Sequence, residues 1–313
     1  MQSEVKPVLS IIVFSYNHKE FIHTCLESIF SQEMSFPYEI IIADDASPDG
    51  TAQIVRERYG DRVRVLERKE NLGLCRNMYD AFMQAEGKYI YECSGDDYFP
   101  GKNVFEKMVG YLEEHEDIFS VTGWYEIYNV NTGTKKVVEL PYQEYTFLDF
   151  LRGTRILFYT GMIRNTFKQD NPEYFCKASR NNEEIQIWYY TLTKSRKTIL
   201  PEPVYTYCYR NNGESSSYNS THNHLDMMED YAKGFRAVKE IAQDKYRFDI
   251  AKMTYYSGCI DYCIQNNGLK AVPGILRVLK PGEVVSLVWI KFLMKLNQRK
   301  IPNFLLRESR LIR

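Results

Sequence analysis

Residues 38–51 read YEIIIADDASPDGT, an apolar run of strand length that stops at two aspartates and breaks into turn residues. An unbroken apolar stretch of this length is the pattern of a strand buried on both faces. Asp44 and Asp45 close it, and Ser47-Pro48-Asp49-Gly50 supplies a turn and a cap for a helix over 51–59. The same pattern repeats on either side. Upstream, VLSIIVFS (residues 8–15) is a second buried strand ending in Tyr16-Asn17-His18, followed by helical spacing of Phe21, Cys25, Ile29 and Phe30. Downstream come a short strand over 62–66, a helix over 71–85 and a strand over 88–93 that runs into Ser94-Gly95-Asp96-Asp97. A helix over 101–114 and a strand over 118–128 complete this part. Strands alternating with helices through short connections specify an α/β fold, Rossmann-like, with a mostly parallel sheet covered on both faces. Ligands of such sheets bind outside the carboxyl ends of the strands. Ser15, Asp44, Asp45, Asp96 and Asp97 all fall at those ends.

The remainder of the chain reads differently. Residues 143–217 are mixed, with a helix near 182–193 and a short strand at 204–209, and the turn-rich run 211–217 makes a domain boundary. Helices are expected over 224–241, 249–265 and 283–296. The expected organisation is one α/β domain over residues 1–216, its halves meeting near 130, and a smaller helical region over 217–313.

At 313 residues, 44% hydrophobic and 26% charged, the composition is that of a globular protein, and the net charge of -1 argues against a nucleic-acid partner. The seven cysteines form no CxxC pair, and buried free thiols in a reducing cytoplasm are the expectation. The opening MQSEVKP lacks the basic and apolar regions of a secretion leader, and no run reaches the ~18 apolar residues of a membrane span. The Asn219-Ser220-Thr221 sequon is read as accidental.

Two constellations can carry chemistry. Asp96-Asp97 follows a buried strand and a glycine that allows a sharp turn, so its carboxylates suit Mg²⁺ or Mn²⁺, or alternatively the cap of the next helix. Asp44-Asp45 suits a hydrogen bond from a base imino group or a ribose hydroxyl, or, again, turn formation and capping.

Taken in order, VLSIIVFSYNHKEFIHTCLESIFSQ, EIIIADDASPDGT and ENLGLCRNMYDAFMQAEGKYIYECSGDDYF resemble the family 2 glycosyltransferases of the GT-A fold, over residues 8–115 and more loosely to about 216. The resemblance implies inverting transfer from a nucleotide-sugar donor, by family default a UDP-sugar, to a glycan or lipid-linked acceptor in bacterial surface polysaccharide synthesis. It places Ser15, Tyr16, Asp44, Asp45, Asn71 and Gly73 by the donor nucleotide, and Arg76 facing phosphate or in a surface ion pair. Asp96 matches the last residue of the family's DxD metal motif, and Asp97 orients metal waters or the donor sugar. Ser94 stands where the family has the first aspartate, which weakens the expected metal site; Glu92 lies two residues earlier.

Asn181-Asn182-Glu183-Glu184 before an apolar helix is similar to the family's acidic segment holding the catalytic base. Glu184 falls on that position, with Glu183 its competitor, and a helix N-terminus favoured by acidic residues is the structural alternative. Arg210, after a tyrosine-rich strand, resembles a residue that neutralises the leaving diphosphate; His222 and His224 lie just beyond. From Lys270 onward Lys and Arg greatly outnumber acids and interleave with apolar residues, which suits either peripheral contact with an anionic membrane or a helix packed on the main domain. The rival readings are a sugar nucleotidyltransferase, which would carry a glycine-rich loop where this chain has Ser15-Tyr16-Asn17-His18, and a non-catalytic sugar- or nucleotide-binding protein.

Overall fold

A computed structural model describes residues 6–141, 143–151, 161–177, 184–210 and 221–242, with short pieces between 252 and 284. Among the described residues nine strands form one sheet, in the spatial order β3 (Arg64–Glu67), β2 (Tyr38–Asp44), β1 (Leu9–Ser15), β4 (Tyr89–Ser94), β8 (Met162–Arg164), β5 (Ser120–Asn129), β9 (Lys197–Tyr209) and β7 (Glu144–Tyr145), with β6 (Thr134–Val138) beside β5. β1 (Leu9–Ser15) lies between β2 (Tyr38–Asp44) and β4 (Tyr89–Ser94) and is parallel to both. Every residue of β1 is buried, which is why its sequence shows no alternation. β3 (Arg64–Glu67), parallel to β2, forms the edge and is correspondingly half exposed.

The two-residue period of the strands divides the core. Leu9, Ile11 and Val13 face α1 (Ile22–Phe30), α2 (Thr51–Tyr59) and α4 (Val104–Glu114), whereas Ile12 and Phe14 face α3 (Leu74–Phe82). α1 and α3 begin later than their apolar periodicity suggests. The residues ahead of them, 18–21 and 71–73, are instead held as turns against the strand ends.

The second half departs from strand–helix alternation. β5 (Ser120–Asn129) pairs antiparallel with β8 (Met162–Arg164) and β6 (Thr134–Val138), and parallel with β9 (Lys197–Tyr209). β7 (Glu144–Tyr145) closes the far edge. β9 is longer than the expected strand over 204–209. Pro201 and Pro203 have no amide to give a ladder, but register shifts on either side of Trp124 let the pairing continue past them, with Trp124 opposite Pro203.

α5 (Phe147–Leu151), α6 (Phe167–Asp170), α7 (Tyr174–Lys177), α8 (Glu184–Leu192), α9 (Thr221–Ile241) and α10 (Val272–Val278) complete the described elements. Phe150 ties three of them together: it packs edge-on to Trp188 at 5.9 Å and stacks on Phe235 at 6.1 Å. Met253, Tyr256, Ile260, Ile275 and Leu279 join the same core. The expected boundary at 211–217 lies outside the described residues, as do Cys259, Cys263 and the basic helix beyond Val284. Cys25, Cys75, Cys93, Cys176 and Cys208 are free thiols. Among the described residues no helix is long and apolar enough to cross a membrane.

Candidate active site

The carboxyl ends of β1, β2 and β4 bring three loops together. Ser15 ends β1 buried, and Tyr16 projects 36% exposed. Asn17 turns the chain through the left-handed region at φ 58°. The next amides are then fixed by side chains of the β2–α2 loop: Asn17 N donates to Ser47 Oγ (3.1 Å), His18 N to Thr51 Oγ1 (3.2 Å) and Lys19 N to Asp49 Oδ2 (3.0 Å). Burial would raise the Asp49 carboxyl, but hydrogen bonds from Thr51 and the Lys19 amide hold it below its ordinary value. Asp44, wholly buried, accepts from Ser47 N (2.9 Å) and Ser47 Oγ (2.6 Å). Its carboxylate thus shapes the loop that in turn carries the first loop.

Asp45 faces the other way, toward the turn 71–73. Its two oxygens accept the amides of Leu72 (2.7 Å) and Gly73 (2.8 Å), while its own amide donates to Ser15 O (2.9 Å). Gly73 sits at φ 84°, ψ 159°, a conformation that essentially requires glycine. Asn77 braces the strand end by donating to Ala43 O (2.8 Å) and accepting from Arg68 Nε (3.0 Å). Asn71 is the first residue of this turn. Arg76 is half exposed on α3 and pairs with Asp80 at 3.0 Å, one helical turn on.

The third loop is Ser94-Gly95-Asp96-Asp97. A Cβ on Gly95 would lie 2.7 Å from Ile22 Cδ1 and 3.2 Å from Phe14 O, so only glycine lets the loop press onto β1 and α1. The two aspartates then diverge. Asp97 points inward, where Cys208 N (2.7 Å) and the Tyr205 hydroxyl donate to it. Burial, added to the charge of Asp96, pushes its carboxyl well above the usual range. Asp96 remains 29% exposed. It accepts from Ser94 Oγ (2.5 Å) and from Arg210 Nη1 (3.0 Å), and His18 Nε2 lies 3.8 Å away. Arg210 also donates from Nη2 to Asp96 O (3.0 Å) and lies 3.9 Å above the Phe21 ring.

Glu92 does not join this group. It faces inward into a small cavity shared with Lys197, Ile163, Ile187 and Thr191. Burial pushes its carboxyl up to about 8 and lowers Lys197 to about 8. Glu184 is the first residue of α8, but its side chain, all of Glu183, and the side chains of His222 and His224 lie outside the described residues.

The strand ends therefore unite Ser15, Tyr16, Asp44, Asp45, Gly73, Asp96, Asp97 and Arg210. His18 and Phe21 belong to the group as well, although sequence reading did not select them. Their one sequence signal was adjacency to the polar end of β1. Among the described residues no cluster of three or more His, Cys, Asp or Glu could hold a metal ion.

Residues 10–175 match the family model Glycosyl transferase family 2. The chain belongs to that family. Its relatives cover it unevenly. An uncharacterized protein of Mycobacterium tuberculosis is 39% identical over 112 residues, 35% of this chain and 32% of that protein. The alignment thus spans about a third of that relative's length. The poly(ribitol-phosphate) beta-N-acetylglucosaminyltransferase TarS of Staphylococcus aureus is 28% identical over 234 residues, 70% of this chain and 39% of TarS. Its residues 1–349, solved in complex with UDP-GlcNAc, superpose with a TM-score of 0.62 at 20% identity, covering 87% of this chain and 79% of that one. The mannosyltransferase PcManGT of Pyrobaculum calidifontis, solved with GDP-Man and Mn²⁺, gives a TM-score of 0.54 at 16% identity over 93% of this chain and 81% of that one. These likenesses show the GT-A fold of the family.

Proposed function

We propose that this family 2 chain transfers a sugar from a nucleoside-diphosphate donor, a UDP-sugar by preference, to an acceptor hydroxyl with inversion. The observation that carries the reading is the partly exposed Asp96 carboxylate at the end of β4, faced by Arg210 and flanked by the braced loops of β1 and β2. In this reading Ser15, Tyr16, Asp44, Asp45, Asn71 and Gly73 form the nucleoside side of the pocket, and Arg76 faces phosphate or keeps its surface ion pair with Asp80. Asp97, held by β9, sets the position of Asp96. Arg210 offsets negative charge on the departing diphosphate. A bound divalent cation such as Mg²⁺ or Mn²⁺ supplies further neutralisation of that charge. Asp96 is the residue that would hold it, and one carboxylate fits a cation that takes its other ligands from phosphates and water.

Glu184, at the start of α8, is the proposed base that takes the proton of the acceptor hydroxyl, with Glu183 its competitor. The TarS name pairs an N-acetylglucosaminyl donor with a poly(ribitol-phosphate) acceptor, and this supports testing surface-polymer and lipid-linked acceptors first. The basic tract beyond Lys270 is proposed to meet an anionic membrane surface where such acceptors reside.

A panel of UDP-sugars and GDP-mannose with Mg²⁺ or Mn²⁺ tests the reading. The expected result is sugar transfer, or slow hydrolysis, of one donor, lowered by about 10²-fold or more by Asp96→Asn and abolished by Glu184→Gln in folded protein. Nucleotide binding with no turnover of any donor would favour a non-catalytic binding protein. Formation of a sugar nucleotide from a sugar phosphate and a nucleoside triphosphate would favour a nucleotidyltransferase.

A further inference from the structure

Asp96 is already engaged on both oxygens before any ligand is considered. Oδ1 accepts from Ser94 Oγ at 2.5 Å, and Oδ2 accepts from Arg210 Nη1 at 3.0 Å. The guanidinium is placed with care. Its other prong donates to Asp96 O (3.0 Å), Nη1 also reaches Cys208 O (3.3 Å), and its plane lies over Phe21. It is only 17% exposed, and its Nε is buried without a hydrogen-bond partner among the described residues. A divalent cation approaching Asp96 unaccompanied meets a fixed positive charge, a hydroxyl where a second carboxylate would have helped, and, among the described residues, no cluster of three or more metal-ligating side chains. A nucleoside diphosphate changes that balance, because its oxygens accept a guanidinium fork as well as a carboxylate does.

We propose that Arg210 is the resident counter-cation of Asp96, giving up that carboxylate only when a diphosphate takes the guanidinium, so that nucleotide and divalent cation bind together and the cation does not bind first. This rests on the reading of Asp96 as the donor-phosphate residue. It goes beyond that reading in assigning an order of binding and the residue that imposes it.

The test is Mn²⁺ binding to the full chain by electron paramagnetic resonance, with and without UDP, and with Asp96→Asn as the blank for Mn²⁺ held by UDP itself. In the unmodified chain, Mn²⁺ alone should bind at least about tenfold more weakly than in the presence of saturating UDP, and by linkage Mn²⁺ should strengthen UDP binding by the same factor. Arg210→Gln should bind Mn²⁺ alone at least about tenfold more tightly than the unmodified chain, because the competing charge is gone, and should lose most of the coupling to UDP. Arg210→Lys keeps the charge, so its affinity for Mn²⁺ alone should stay as weak as that of the unmodified chain. Unchanged or weaker Mn²⁺ binding in a folded Arg210→Gln overturns the proposal and leaves the pair a structural ion pair. If Arg210→Gln does not fold, the comparison in the unmodified chain decides: equal Mn²⁺ affinity with and without UDP overturns the proposal. Failure of every nucleotide to bind would sink the glycosyltransferase reading instead, and the comparison with Mn²⁺ alone would still judge the ion pair.

Discussion

The molecule carries two Asp-Asp pairs at the ends of parallel strands, and they differ in what their carboxylates do. At the end of β2 both acids are spent on the protein. Asp44 shapes its own loop through Ser47, and Asp45 captures the amides of Leu72 and Gly73. At the end of β4 the duties are split. Asp97 is buried against β9, while Asp96 stays partly exposed and meets a cation. The first corner is a rigid wall whose remaining acceptor capacity can face a ligand. The second is a charged ledge whose occupant can be exchanged. Adjacent carboxylates are therefore not equivalent: Asp97 is buried in the frame, and Asp96 is left partly exposed.

That division can be broken by substitution. The largest effect is expected at Asp96. Asp96→Asn should lower transfer by about 10²–10³-fold, the cost of losing one charge-stabilising group, while the melting temperature stays within about 2 °C of the original. Asp97→Ala should do the reverse to the fold, costing about 2–3 kcal/mol in urea unfolding, because the Cys208 amide and the Tyr205 hydroxyl are left buried and unpaired. If Asp97→Ala were as stable as the parent, its structural role would be lost. Asp45→Ala should cost about 2 kcal/mol and speed amide exchange at Leu72 and Gly73, with a smaller loss, about 1 kcal/mol, for Asp44→Ala.

Gly95→Ala tests the close approach that lets Asp96 project. Its Cβ would press on Ile22 and Phe14 O, at an expected cost of about 1–3 kcal/mol by denaturant titration.

Glu92, two residues before Ser94, sharpens the rule by pH. It is raised to about 8 in the folded chain from 4.5, so the folded state holds more protons between those values and stability should fall as pH rises through them. Lys197 is lowered to about 8 from 10.5, so above pH 8 the unfolded state holds more protons and stability should recover. The melting temperature should therefore carry a shallow dip near pH 8. A profile of Glu92→Leu/Lys197→Met that keeps the dip would refute this assignment.

Much of the first half was legible because its strands are buried on both faces, and continuous burial writes a continuous apolar run. The polar residues that interrupt those runs had to lie at one edge of the sheet. Which of them would touch one another was not legible. Nothing local to SGDD says that Asp97 turns toward Tyr205 and Cys208, more than a hundred residues away, or that Arg210 reaches back to Asp96. The two prolines of β9 hid a long strand, since their tolerance depends on a register shift beside Trp124 on a different strand. His18 escaped notice for a related reason: its proximity to Asp96 exists only because Gly95 allows two loops to meet.

By itself, then, the sequence determined the α/β alternation, the family resemblance and the polar positions at the strand ends, because each of these is written in local periodicity and turn chemistry. Only the tertiary structure decided which carboxylates are buried and which is exposed, and that a guanidinium holds the exposed one. Those outcomes depend on hydrogen bonds and desolvation between distant segments, and no local pattern encodes them.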